Sequence, residues 1–91
     1  MKKWLNEAAS INGYAMDNKL PVIEINHGDV LNCGAEGTQD GYTLIRAEKH
    51  VVGLLRLSDW QVINTVESED ADITPEVLKK LLGSLDGWSI D

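Results

Sequence analysis

The chain contains one cysteine, two prolines and no phenylalanine, and it lacks any long apolar run. Because Cys33 has no possible partner within the chain, an internal disulfide is excluded and a reducing compartment is expected. No uninterrupted apolar segment approaches the roughly 18 residues that are needed to cross a bilayer. Lys2 and Lys3 resemble the start of a secretory signal, but Asn6 and Glu7 interrupt the apolar segment that must follow. We therefore expect a cytoplasmic protein without a signal peptide.

Basic residues are scarce in the last third of the chain. Residues 1–56 carry seven acids against six bases, whereas residues 57–91 carry eight acids against only Lys79 and Lys80. The net charge of −7 is therefore concentrated near the C-terminus. A negative field repels nucleic acid phosphates and anionic lipids and attracts basic surfaces. This distribution argues against direct binding of nucleic acid or membrane and favours a protein partner with a basic surface.

Composition is otherwise that of an ordinary globular domain, with 43% hydrophobic and 25% charged residues. A chain of this length buries only roughly 60–65% of the surface of its unfolded form, so it supports one core. We therefore expect residues 1–91 to form a single small domain.

Helical spacing of apolar residues is the main signal in the N-terminal segment. These residues are Trp4, Leu5, Ala8, Ile11 and Ala15. The spacing predicts an amphipathic helix over residues 3–18. The pair Asn12-Gly13 favours a left-handed backbone and is an alternative end for this helix, which would leave residues 14–16 extended.

Five short segments rich in β-branched residues follow, separated by residues that favour turns. They are residues 22–26, 30–33, 42–48, 51–57 and 60–66. The turn residues His27, Gly28 and Asp29 predict that the first two segments form a hairpin. Residues 47–57 are also compatible with a helix, but Gly53 and the pair Val51-Val52 favour a strand.

The C-terminal helix has the clearest signals in the sequence. Thr74 is a favourable N-cap and Pro75 suits the first helical position, while Leu78, Leu81, Leu82 and Leu85 follow at helical spacing. Gly87 and Trp88 predict a Schellman ending. The complete pattern predicts an α+β fold with an N-terminal helix, a four- to five-stranded antiparallel sheet and a C-terminal helix, in which the helices pack on one face of the sheet.

No pattern in the sequence indicates catalysis. His27, Asp29 and Cys33 are possible metal ligands, but their spacing matches no known zinc site. The glycine-rich segment 34–41 contains Glu36 and Asp40, which would repel phosphate, and residues 67–72 lack the glycine and glutamate of a calcium loop. Residues 67–72 are compatible with a solvated linker before the helix as well as with an acidic recognition surface. We expect no catalytic residue, metal or cofactor, and therefore no enzyme.

The remaining hypotheses concern binding. The first is an acidic protein-binding or inhibitor module, in which carboxylates imitate the phosphates that a nucleic-acid-binding partner recognises. The analogy is with small phage inhibitors of host defence enzymes and rests on size and charge alone. The second is an assembly subunit that associates through a sheet edge, and the third is a small enzyme or ligand carrier that uses residues 34–41. Trp4, Trp60 and Trp88 favour core packing, although tryptophan is also enriched at interfaces. The candidate contacts are Asp59, Trp60, Glu67, Glu69, Asp70, Asp72 and Glu76.

Overall fold

A computed structural model of the protein describes residues 2–16, 20–34 and 40–91. These residues contain nine strands, one α-helix and two short 3-10 turns. The strands are β1 (Lys3–Trp4), β2 (Ser10–Ile11), β3 (Tyr14–Ala15), β4 (Val22–Ile23), β5 (Val30–Cys33), β6 (Asp40–Glu48), β7 (Val51–Arg56), β8 (Gln61–Glu67) and β9 (Trp88–Ile90). Helix α1 spans Pro75–Leu82, and the 3-10 turns span Leu5–Glu7 and Glu69–Ala71.

Two sheets organise the chain. The larger is antiparallel, with six strands in the order β1-β9-β5-β6-β7-β8, and the smaller has three strands in the order β3-β2-β4. Strands β6, β7 and β8 form a meander, whereas β9 returns from the C-terminus to lie between β1 and β5. Strand β8 therefore forms one edge of the larger sheet.

The predicted N-terminal helix is wrong. Residues 3–16 form β1, a 3-10 turn and the β2–β3 hairpin, and residues 17–19 lie outside the described residues. Asn12 and Gly13 have φ values of 51° and 83°, so both central residues of the two-residue turn meet the condition for type I′. The alternative, in which the helix ends at Asn12-Gly13 and residues 14–16 are extended, agrees with the positive φ of this pair and with the extended Tyr14–Ala15, but residues 3–11 form no α-helix for it to end. Leu5, Ala8 and Ile11 are buried, but they lie in a 3-10 turn, at the residue that follows it, and in β2, respectively.

The predicted hairpin between residues 22–26 and 30–33 is also wrong. Strand β5 has the predicted bounds, but it pairs with β6 and β9. Strand β4 is shorter than predicted and pairs in parallel with β2, so that Val22 lies opposite Ser10. The turn at His27 and Gly28 therefore connects two sheets.

The later strands agree with the sequence prediction. Residues 51–56 form a strand, which excludes the alternative helix, and the turn at Lys49 and His50 joins β6 to β7 as predicted. Helix α1 begins as predicted, since Thr74 Oγ1 accepts a hydrogen bond of 3.2 Å from the Val77 amide. It ends at Leu82, where Gly83 has a φ of 78°. The predicted Schellman ending at Gly87 is therefore wrong.

One hydrophobic core joins the helix, the smaller sheet and one face of the larger sheet. Leu44 and Leu54 lie opposite each other on neighbouring strands and are both buried, as is Leu78 on α1. In the described residues α1 is the only α-helix, and it contacts β7 and β8. The fold is therefore mostly sheet, and the expectation of two helices on one face is wrong. None of the described helices has the length and apolar character needed to cross a membrane.

Candidate binding surface

The seven predicted contact residues fall into two groups at opposite ends of β8. Asp59 and Trp60 precede the strand, whereas Glu67 ends it and the other acids follow in the 3-10 turn and the start of α1. A strand rises about 3.3 Å per residue, so the two groups are separated by roughly 20 Å. The structure therefore does not bring all seven residues into one site.

Four of the acids line one shallow hollow, and we call this site the acidic hollow. They are Glu67, Glu69, Asp72 and Glu76, and the hollow has a volume of about 340 Å³. All four side chains are exposed, and Tyr14 and Lys80 also contribute to the wall. No ion pair joins any of the four carboxylates to a cation among residues 2–16, 20–34 and 40–91. In the part of the chain that the structure describes, the lining of the hollow therefore contains these four carboxylates and a single base, Lys80.

Two histidines contact the 3-10 turn that carries Glu69 and Asp70. The Asp70 amide donates a 3.2 Å hydrogen bond to Nδ1 of His50, and Nε2 of His27 lies 2.8 Å from the Ala71 carbonyl oxygen. Asp70 and Ala71 have φ values of 53° and 54°, a conformation that is unfavourable for residues other than glycine. Each of these two residues has one main-chain group within hydrogen-bond distance of a histidine ring. Since a carbonyl only accepts, the His27 contact requires a proton on Nε2.

Asp70 contributes to a second and larger site, which we call the cleft. Three chain segments form it, residues 12–14, 22–27 and 70–73, together with Arg46 from β6. Its volume is about 530 Å³. Tyr14 and Asp72 line both the cleft and the acidic hollow, so the two sites are contiguous.

The side chain of Asn12 connects the walls of the cleft. Its Nδ2 donates to the carbonyl oxygens of Ile25 and Ile73 at 2.5 and 3.2 Å, and its Oδ1 accepts from the Ile25 amide at 2.6 Å. Sequence reasoning missed the cleft because its walls come from segments far apart in the chain. The sequence indicated a left-handed backbone at Asn12-Gly13, but as a helix end, and such a signal does not reveal which segments the Asn12 side chain bridges.

At the other end of β8, Arg56 and Asp59 form a bidentate ion pair with distances of 3.0 and 2.6 Å. The hydrogen bond from Arg56 lowers the pKa of Asp59, and the positive charge of the guanidinium adds to this effect. Trp60 follows with a φ of 57° and 74% of its surface exposed, so its predicted core packing is wrong. Trp88 is buried with its ring centroid 5.0 Å from that of Tyr42, and Trp4 is partly buried.

The possible metal ligands of the first turn have other contacts. Asp29 Oδ2 accepts a 2.8 Å hydrogen bond from the Asn26 amide, Cys33 is partly buried on β5, and His27 faces Ala71. Within the described part of the chain, no group of three ligand-type side chains is placed to hold a metal. Most of the glycine-rich loop, residues 35–39, lies outside the described residues.

The fold and the exposed acids together define a small α+β domain with an open acidic surface. Compared with known proteins, the chain matches no protein-family model, no curated protein and no solved structure. Any function must therefore be argued from the surface itself.

Proposed function

We propose that this protein is a non-enzymatic binding module whose acidic hollow docks on a basic surface of a partner protein. The main support for the proposal is that four acids line one hollow, and that none of them forms an ion pair with a described residue. These acids are Glu67, Glu69, Asp72 and Glu76. Like charges held close together raise the energy of the free protein. A cationic partner relieves this repulsion and is also steered towards the site during diffusion.

A sharper form of the proposal makes the protein an inhibitor. The exposed carboxylates of the 3-10 turn and the helix start present negative charge to a partner surface that normally binds phosphates, so the module competes with nucleic acid for that surface. Its own negative charge keeps it away from nucleic acid. The partner in this form is a nucleic-acid-binding protein.

Trp60 supplies a second contact in the same interface. A typical interface buries about 800 Å² on each partner, which corresponds to a patch about 30 Å across, so both ends of β8 fit within it. An exposed tryptophan with positive φ is unfavourable for the free protein, because that backbone prefers glycine or asparagine and water disfavours the indole ring. Burial of the indole ring in a partner would remove its unfavourable exposure to water.

The test compares two variants with the same change in net charge. The first replaces acids of the hollow, Glu67→Gln, Glu69→Gln and Glu76→Gln. The control replaces exposed acids elsewhere, Glu7→Gln, Glu48→Gln and Asp91→Asn. Asp72 stays unchanged because it also lines the cleft.

Affinity purification of the tagged protein from its native host, at low and high salt, gives the readout. We expect a basic partner that is released by salt, retained by the control variant and lost by the hollow variant. Equal retention of that partner by the two variants would show that the hollow is not the docking site.

Strand β8 supports a second candidate function, assembly through the sheet edge. Val62 and Ile63 on this edge strand are 47% and 42% exposed. Exposed edges pair readily with other strands, and a lysine on the edge prevents this. If the module is an assembly subunit, light scattering at micromolar concentration should detect a stable oligomer that Val62→Lys converts to a monomer. A monomeric native protein would exclude this candidate.

A further inference from the structure

We propose that the cleft binds an arginine side chain on an extended segment of the basic partner. This inference rests on the proposed function and extends it, because it assigns a specific chemical group to a site next to the acidic hollow. The cleft lies between residues 12–14, 22–27 and 70–73. Its volume of about 530 Å³ falls within the range of roughly 300–1,000 Å³ that is typical of ligand sites.

The lining of the cleft combines apolar groups with carboxylates. Ile23, Ile25 and Ile73 line it and are 1%, 0% and 6% exposed, whereas Val22 and Tyr14 line it and are 63% and 44% exposed. Large exposed apolar side chains therefore lie next to polar ones. Such a lining suits an amphipathic group whose apolar part contacts the protein while its charged end stays near polar atoms.

Three carboxylates, those of Glu24, Asp70 and Asp72, contribute negative charge to the cleft. None of them forms an ion pair with a cation of the described residues. Among the described residues, Arg46 is the one lysine or arginine in the lining, and the contact that its Nη1 makes within this part of the chain is one of 3.4 Å with the Lys49 carbonyl oxygen. The excess of carboxylates over bases selects a cationic ligand.

Arginine fits these features better than lysine does. Its planar guanidinium forms two parallel hydrogen bonds with a carboxylate and stacks on an aromatic ring, whereas an ammonium group does neither as well. The exposed ring of Tyr14 lies in the same lining as the three carboxylates. Contact between a guanidinium and such a ring contributes binding energy in addition to the charge attraction.

The size and continuity of the cleft point to a peptide segment. A single side chain does not fill about 530 Å³, whereas a short extended segment does. Arg46 offers donors to main-chain carbonyl oxygens of such a segment. Because Tyr14 and Asp72 are shared with the acidic hollow, a chain that leaves the cleft enters the hollow, where further basic residues meet Glu69 and Glu76.

The experiment is a titration of the isotope-labelled full chain with short capped peptides, followed by NMR. The probes are Gly-Gly-Arg-Gly-Gly, the same peptide with lysine or glutamine at the centre, and spermidine. We expect the arginine peptide to shift the amide signals of Tyr14 and residues 22–26, the lysine peptide to bind about 2- to 5-fold more weakly, and the glutamine peptide to cause no shift.

A double variant, Glu24→Gln with Asp70→Asn, tests the carboxylates. Asparagine tolerates the positive φ of residue 70, and Glu24 is exposed, so folding is preserved. We expect this variant to bind the arginine peptide about 3- to 10-fold more weakly, as is typical when two exposed charge pairs are lost. The hollow variant with glutamine at residues 67, 69 and 76 should retain the shifts at Tyr14 and residues 22–26.

Several results would overturn the proposal. Shifts confined to residues 67–80 would place the arginine in the hollow and leave the proposed function intact. Equal affinity for the lysine and arginine peptides would show that the cleft does not select arginine. Tighter binding of spermidine than of the arginine peptide would identify the cleft as a site for small polyamines. Unchanged affinity of the double variant for the arginine peptide would show that the carboxylates of Glu24 and Asp70 do not bind the arginine.

Discussion

Replacing Asn12 should destabilise the whole domain, because this one side chain connects three parts of the chain. It makes three hydrogen bonds with the backbone of Ile25 and Ile73, and its own backbone has a φ of 51° in the β2–β3 turn. Neither partner lies near it in sequence. The side chain therefore holds the smaller sheet against the segment that leads into α1.

The size of the effect follows from two separate contributions. Each hydrogen bond contributes about 0.5–1.5 kcal/mol net, so the loss of three costs about 2–4 kcal/mol. Alanine at positive φ adds about 1 kcal/mol, which glycine does not. We therefore expect Asn12→Gly to reduce the free energy of unfolding by about 2–4 kcal/mol and Asn12→Ala by about 1 kcal/mol more. In a domain of this size the first change lowers Tm by roughly 10–25 °C.

Thermal and urea unfolding monitored by tryptophan fluorescence would measure both values. Asn6→Ala is the matched control, because Asn6 is exposed and makes one side-chain hydrogen bond, of 2.7 Å to Asp86. Its expected effect is below about 0.5 kcal/mol. Unfolding of Asn12→Ala and Asn6→Ala at the same temperature, or native stability of Asn12→Gly, would contradict the anchoring role of the Asn12 side chain.

Three other predictions concern single contacts. His50→Ala should increase hydrogen exchange of the Asp70 amide roughly 2- to 10-fold, since the accepting Nδ1 is lost. Unchanged exchange would show that this hydrogen bond does not stabilise the 3-10 turn. NMR should show that the Asp59 carboxyl titrates below its usual range, and its stabilising contribution is therefore present above the unfolded-state pKa and is lost as pH falls through the lowered pKa. Arg56→Gln should raise the pKa of Asp59, and an unshifted titration of Asp59 would contradict the ion pair. Thr74→Ala should cost about 1 kcal/mol in urea unfolding while Thr74→Ser costs much less, and equal losses would contradict capping by the hydroxyl.

The elements that the sequence predicted correctly depend on local chemistry. Thr74 and Pro75 set the start of α1 through a hydrogen bond and a fixed φ that need no distant partner. Strands β6, β7 and β8 are joined by tight turns, so consecutive segments pair with each other. In both cases the signal and the structure that it produces lie within a few residues.

The errors arose where pairing depends on distant segments. The N-terminal spacing of Leu5, Ala8 and Ile11 fits a helix, but three-residue intervals also suit a 3-10 turn that enters a strand. Strand β1 consists of two residues that pair with β9 at the far end of the chain. A strand of two residues is too short for a local sequence pattern to predict it. The predicted extension of α1 through Leu85 is wrong because Gly83 and Gly87 both have a positive φ suited to a helix end, and the helix ends at the first of them.

The candidate site shows the same division between local and distant information. The excess of acids in residues 57–91 was visible in the sequence, and four of these acids do share one hollow. Their separation from Asp59 follows from the length of β8, whereas the position of Asp70 in the cleft follows from the turn that His27 and His50 hold. Charge therefore predicted where the acids are concentrated, but not that the 3-10 turn, which His27 and His50 contact, places Asp70 in the cleft and Glu69 in the hollow.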